Sequence, residues 1–154
     1  MKRSPFARRV ALGAESTAAE QGTSNMEILI QKIKADKKLL VSQNMNLTEE
    51  EAKAFWPIYE SYQKDLHAIN ERLVKVITAY ADAYSMGPVT DDQAKKLLNE
   101  ALAIEGSELK LKQSYAPKLG KALPAVKVTR YLQIENKIRA AVRYELAAKI
   151  PLVE

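Results

Sequence analysis

The chain contains no cysteine. Disulfides, thiolate metal sites and cysteine nucleophiles are therefore excluded. Histidine is nearly absent too: His67 stands alone, with Gln63 and Glu71 one helical turn to either side. One carboxylate and no second imidazole make no metal site. Five glycines and six prolines among 154 residues disfavour a turn-rich β fold. No apolar run approaches the roughly 18–20 residues of a membrane-spanning helix. There is no glycine-rich phosphate loop and no G-x-S-x-G nucleophile turn. Nothing singles out an acid–base pair among the 19 carboxylates. The sequence therefore predicts no enzyme, no metal and no cofactor.

What is present is charge and aliphatic side chains. Charged residues make up 28% and hydrophobic residues 47%, a composition that folds. The net charge of +5 is unevenly spread. Residues 1–9 carry four positive charges and no negative ones. Residues 10–106 hold ten basic and fifteen acidic residues, a net of −5; residues 107–149 hold ten basic and three acidic, a net of +7. A basic C-terminal third attracts acidic surfaces, unless it is simply a solvated helix face.

Residues 1–14, "MKRSPFARRVALGA", start like an export signal, with Lys2, Arg3, Arg8 and Arg9 as a positive region. The apolar stretch Val10 to Ala14 is five residues long, short of the roughly 7–15 that a signal needs. A shortened signal, an expression artefact and a disordered basic tail all fit. Residues 15–25 are small and polar and read as a linker, so the fold is sought in residues 26–154 as a single domain.

In residues 26–41, Met26, Leu29, Ile30 and Ile33 recur at helical spacing and Leu40 continues them, giving a first amphipathic helix that "SQNMN" should break. "LTEEE" follows. Thr48 suits an N-cap and Glu51, three residues on, suits its capping-box partner. From there Phe55, Tyr59, Tyr62, Leu66, Ile69, Leu73, Val76, Tyr80 and Ala83 alternate spacings of four and three, a heptad seam that predicts a helix to about Ser85. Pro57 should bend or loosen it. Gly87 and Pro88 supply the turn. "VTDDQ" then repeats the capping phrase, with Thr90 and Gln93. Leu97, Ala101, Ile104, Leu111 and Tyr115 form the next seam, Leu98, Leu102 and Leu109 run alongside, and Glu108 interrupts it. Pro117, Gly120 and Pro124 should break the chain before a last helix from about Ala125 to Lys149, with Tyr131, Ile134, Ile138, Ala141, Val142 and Ala148 as its stripe. The expected fold is all-α: an elongated antiparallel helical hairpin with two flanking helices. A compact up-down bundle is the alternative.

The two caps, Leu47-Thr48 with Glu51 and Val89-Thr90 with Gln93, resemble the paired LTxxQ motifs of the Spy/CpxP family of periplasmic helical proteins. The second keeps the glutamine and has valine for leucine; the first has glutamate for glutamine. The likeness in plan covers about residues 26–150. "FWPIYESYQ" and the C-terminal "YLQIENKIRAAVRYELAAKIPLVE" differ from the Met- and His-rich segments of metal-sensing relatives, so no metal role is carried over. The resemblance implies a dimeric, ATP-independent chaperone or envelope-stress adaptor in the periplasm, binding unfolded or partner proteins on an apolar and basic concave face.

For that face the sequence offers Trp56, Tyr59 and Tyr62, whose alternative is core packing, and a basic set of Lys110, Lys112, Lys127, Arg130, Lys137, Arg139 and Arg143. Two other readings stand beside the chaperone. One is a helical interaction or sensor module, suggested by the sustained seam and the apolar "IPLV" end. The other is a cytoplasmic nucleic-acid binder, which would use the same cations but lacks helix-turn-helix spacing and interleaved aromatics.

Overall fold

The computed structural model describes residue 28 and residues 35–154. Those residues form four helices and no strand. Residues 35–45 belong to α1; α2 is Glu49–Ser85, α3 Asp91–Ala122 and α4 Ala125–Lys149. The all-α expectation holds. Segment 1–25 and the stripe residues Met26, Leu29, Ile30 and Ile33 lie outside the described residues.

Both repeated phrases do the same local work. Thr48 Oγ1 accepts from the Glu51 amide at 3.2 Å, while Glu51 Oε1 accepts from the Thr48 amide at 2.9 Å. Thr90 and Gln93 repeat the exchange at 3.2 and 3.0 Å. Each box satisfies two of the amides that a helix start leaves without a partner. Glu49, Glu50 and Asp91, Asp92 add negative charge where the helix dipole favours it. At the far end of α2, Gly87 has φ +134°, a conformation open to glycine, and Pro88 follows. Thus α2 and α3 are joined by a tight turn and run antiparallel. Arg72 meets Glu100 and Ser107 across them, and Ser61 and Asp65 meet Tyr115. At 37 and 32 residues these helices are about 55 and 48 Å long.

The other two helices lie along this hairpin, α1 at the end away from its turn and α4 along most of its length. α4 runs parallel to α2: Lys127 reaches Glu51, Glu135 reaches Gln63, and Pro151 reaches Tyr80. α1 runs antiparallel to α2, with Lys38 on Glu60 and Lys37 on Gln63. Val41 and Met45 of α1 close the core over Phe55, Tyr59 and Tyr62 of α2, Tyr115 and Leu119 of α3, and Tyr131 of α4. The Tyr131 ring meets Phe55 at 5.0 Å and Tyr62 at 6.1 Å, both edge to face, the arrangement aromatic quadrupoles prefer.

Several sequence expectations are corrected. "SQNMN" does not break α1, which runs on to Met45 because Met45 is buried; Asn46, with φ 49°, ends it in the left-handed conformation that asparagine tolerates. Leu40 is exposed, and the buried face of α1 is Val41 and Met45. Pro57, expected to bend or loosen α2, lies inside a helix that continues past it, which does not contradict that expectation. Pro117 and Gly120 do not break α3, because burial of Leu119 and Leu123 holds its last turns on the core; only Pro124 ends it. In α4 the outer stripe residues Ala141, Val142 and Ala148 are exposed. The α2 seam is fully buried only at Phe55, Tyr59 and Tyr62; near the turn Ala81 and Tyr84 are the buried residues. A straight helix drifts off a strict 3.5-residue repeat, so a long heptad seam rotates away from its partner.

Thr48→Ala and Thr90→Ala should each lower stability by about 1 kcal/mol, seen as a lower urea midpoint at unchanged slope. Phe55→Ala should cost roughly 3–5 kcal/mol. Equal small losses for all three variants would show that the aromatic cluster is not the core.

Candidate functional site

Glu135 was not singled out by sequence, yet it is the most connected carboxylate. It is buried on α4, one turn beyond Tyr131. The Tyr131 hydroxyl donates to its Oε1 at 2.7 Å and the Gln63 amide donates to the same oxygen at 2.8 Å. Lys37 of α1 pairs with Oε2 at 2.7 Å and also donates to Gln63 Oε1 at 2.8 Å. Three helices thus meet on one carboxylate. Burial raises the Tyr131 hydroxyl pKa well above the usual phenol value, and the neighbouring Glu135 charge raises it further. Burial likewise raises Tyr59 and Tyr62, with Glu135 again contributing.

Glu108, expected to interrupt the α3 seam, sits in it as a second buried carboxylate. Arg139 Nε donates to one of its oxygens and Arg143 donates to the other at 2.6 Å. A charge sunk among apolar side chains is tolerable only when paired, and α4 supplies two guanidiniums. No described buried side-chain polar atom lacks a partner.

The basic C-terminal third is therefore not one free surface. Arg139 and Arg143 hold α4 to α3. Lys127 bonds Glu51 and the Asn46 carbonyl at 2.9 Å, and Arg130 bonds the Asn44 carbonyl, so both fasten α4 to the α1–α2 junction. The Lys127 bond, with that from the Thr48 amide, holds the Glu51 carboxyl below its usual range. Lys112 reaches Asn136 at 2.6 Å. Lys110 and Lys137 are exposed. Of the aromatic trio, Tyr59 and Tyr62 are 2% exposed. They belong to the core and offer nothing to a binding partner. Trp56 is half-buried at its rim, edge-on to Phe55 and Tyr59, with Lys38 Nζ 5.3 Å from its ring centre. His67 pairs with Glu71 at 3.0 Å, and the described residues contain no cluster able to hold a metal ion.

Two apolar features stand out on the outside of the described residues, apart from scattered single side chains such as Val126, Tyr144 and Leu152. On α3, Leu98, Leu102 and Leu109 are 58, 56 and 57% exposed. At about 100° per residue they form one narrow stripe, roughly 140° round the helix from the buried face of Ile104, Leu111 and Tyr115. The sequence had placed these leucines alongside the seam. The second feature is a groove of about 330 Å³ between α2 and α4, floored by α3. No described helix is long and apolar enough to cross a membrane. Comparisons with protein-family models, curated proteins and solved structures found no match to this chain.

Replacing both Arg139 and Arg143 with methionine should destabilise the fold by about 3 kcal/mol, because Glu108 is left buried and unpaired. Adding Glu108→Leu to that pair should restore most of the loss; a triple variant as weak as the double would mean that the arginines act by packing alone. Raised tyrosine pKa values also have a sign: the folded state keeps protons that the unfolded state gives up. Their stabilisation is complete below the ordinary phenol pKa of about 10 and declines as pH rises through and beyond it. Melting temperature should therefore hold from pH 8 to about 9.5 and fall above about 10, with Tyr59, Tyr62 and Tyr131 ionising only as the fold is lost; free titration of all tyrosines in the folded protein would contradict this.

Proposed function

We propose that the chain is a non-enzymatic protein-binding module, acting as an ATP-independent chaperone or envelope-stress adaptor that captures apolar segments of unfolded or partner proteins. The observation that carries this reading is the exposed Leu98–Leu102–Leu109 stripe, a second apolar face on a helix whose first face is already used. Exposed apolar surface of this kind is the usual mark of an interaction site. Exposed Lys95 and half-exposed Lys112 border the stripe and exposed Glu105 lies within it, so charge on this face is mixed; the preference for acidic clients rests on the basic C-terminal third. The repeated caps and the likeness to Spy/CpxP proteins support a periplasmic setting, and a homodimer is part of the same reading. Trp56, at the rim of the core, is the one member of the aromatic trio left to contribute. The basic residues that close the fold are removed from the client surface, which weakens the nucleic-acid alternative. Of the basic set, Lys110 and Lys137 are the cations left exposed.

Stoichiometric protein should slow aggregation of a chemically unfolded acidic client, less so at high salt. Leu98→Glu with Leu102→Glu should remove the protection without changing the melting temperature by more than a few degrees, both sites being exposed. Protection unchanged in that double variant would move the site elsewhere; no protection by the parent protein at either salt would sink the chaperone reading.

A further inference from the structure

The groove between α2 and α4 is divided along its length. Toward the hairpin turn its walls are aliphatic: Leu73, Val74 and Ile77 of α2 face Val142 and Leu146 of α4. At the other end Tyr62, Leu66 and Ile138 continue the apolar lining, and the charged side chains of the groove are gathered beside them. Lys37 and Glu135 cancel there, but Arg139, Arg143 and Lys112 face a single carboxylate, Glu108, leaving two positive charges in excess. A guanidinium carries five N–H donors, and only one from each arginine goes to Glu108.

The dimensions restrict the occupant. From Tyr62 to Ile77, α2 extends about 22 Å. Its volume of about 330 Å³ suits a single extended hydrocarbon chain, whereas a helix with its side chains is about 10–12 Å across. No aromatic side chain lines the aliphatic half, so there is nothing for a planar ligand to stack on. The geometry points to a single-chain aliphatic carboxylate, a free fatty acid, bound with its carboxylate among Lys112, Arg139 and Arg143 and its tail between Val74, Ile77, Val142 and Leu146. This site is separate from the α3 stripe and does not rest on protein capture.

Titration calorimetry of the full chain with dodecanoate, kept below its micelle concentration, tests the assignment. Saturable binding of one molecule per chain is expected. Decanoate, two methylenes shorter, should bind roughly tenfold more weakly, and dodecanol should bind more weakly for want of the charge. Val142→Glu and Val74→Glu, both at exposed wall positions, should each abolish binding; either one folded suffices for the test. Lys112→Met should weaken binding several-fold, and Leu98→Glu with Leu102→Glu should leave it unchanged. The assignment is overturned if dodecanoate does not saturate, if the wall variants bind as the parent does, or if only anionic phospholipid vesicles bind. It is equally overturned if uptake is detergent-like, with many molecules per chain. Loss of client protection with dodecanoate binding intact would count against protein capture alone.

Discussion

The fold depends on one buried carboxylate being fully answered. Glu135 receives the hydroxyl of Tyr131, the amide of Gln63 and the ammonium of Lys37, so α4, α2 and α1 have to be in register together before any one of them is satisfied. The Tyr131 ring carries the apolar side of the same junction, edge-on to Phe55 and Tyr62. Burying the hydroxyl without Glu135, or Glu135 without Lys37, would leave a desolvated polar group costing about 1–3 kcal/mol or more. A half-formed version of the junction is therefore worse than none, and the helices settle in one arrangement. Glu108 with its two arginines repeats the device a few turns along, now fixing α3 to α4.

These two junctions alter the meaning of the charge pattern. The C-terminal third looks in sequence like a field of cations awaiting an acidic partner. Five of the seven cations put forward there reach acceptors on other helices: Lys112, Lys127, Arg130, Arg139 and Arg143. Because α4 lies against the acidic first turns of α2 and against Glu108, the opposite net charges of the two chain segments are largely a record of helices packing on one another. What remains for recognition is aliphatic first and basic second.

Local features were legible in the sequence and distant ones were not. The two threonine caps, the Gly87 turn and the ends of α2 and α4 follow from residues within a few positions of each other. Those signals do not depend on what packs where. The end of α1 was missed because Asn46 terminates a helix only if Met45 is worth burying, which Phe55 and Tyr59 decide. Pro117 reads as a break in the sequence but is none in the fold for the same reason: Leu119 and Leu123 gain more on the core than one missing amide costs. Glu135 gave no signal at all, since an isolated glutamate in a lysine-rich helix normally faces solvent. Tyr59 and Tyr62 were legible as a helix face but not as core, because amphipathic rings suit an interface as well as an interior.

The order of the helices has a consequence for synthesis. α4 is last, yet Tyr131 fills the centre of a core whose other walls begin at Val41. A nascent chain can form the capped hairpin as soon as α3 has left the ribosome. It then holds Phe55, Tyr59 and Tyr62 around an empty centre until residues 131–135 emerge and Lys37 and Gln63 find Glu135. During that interval its own apolar surface is uncovered, as in any late-closing domain. A released chain that ended between residues 123 and 131 would carry the whole hairpin yet leave the centre of its core open.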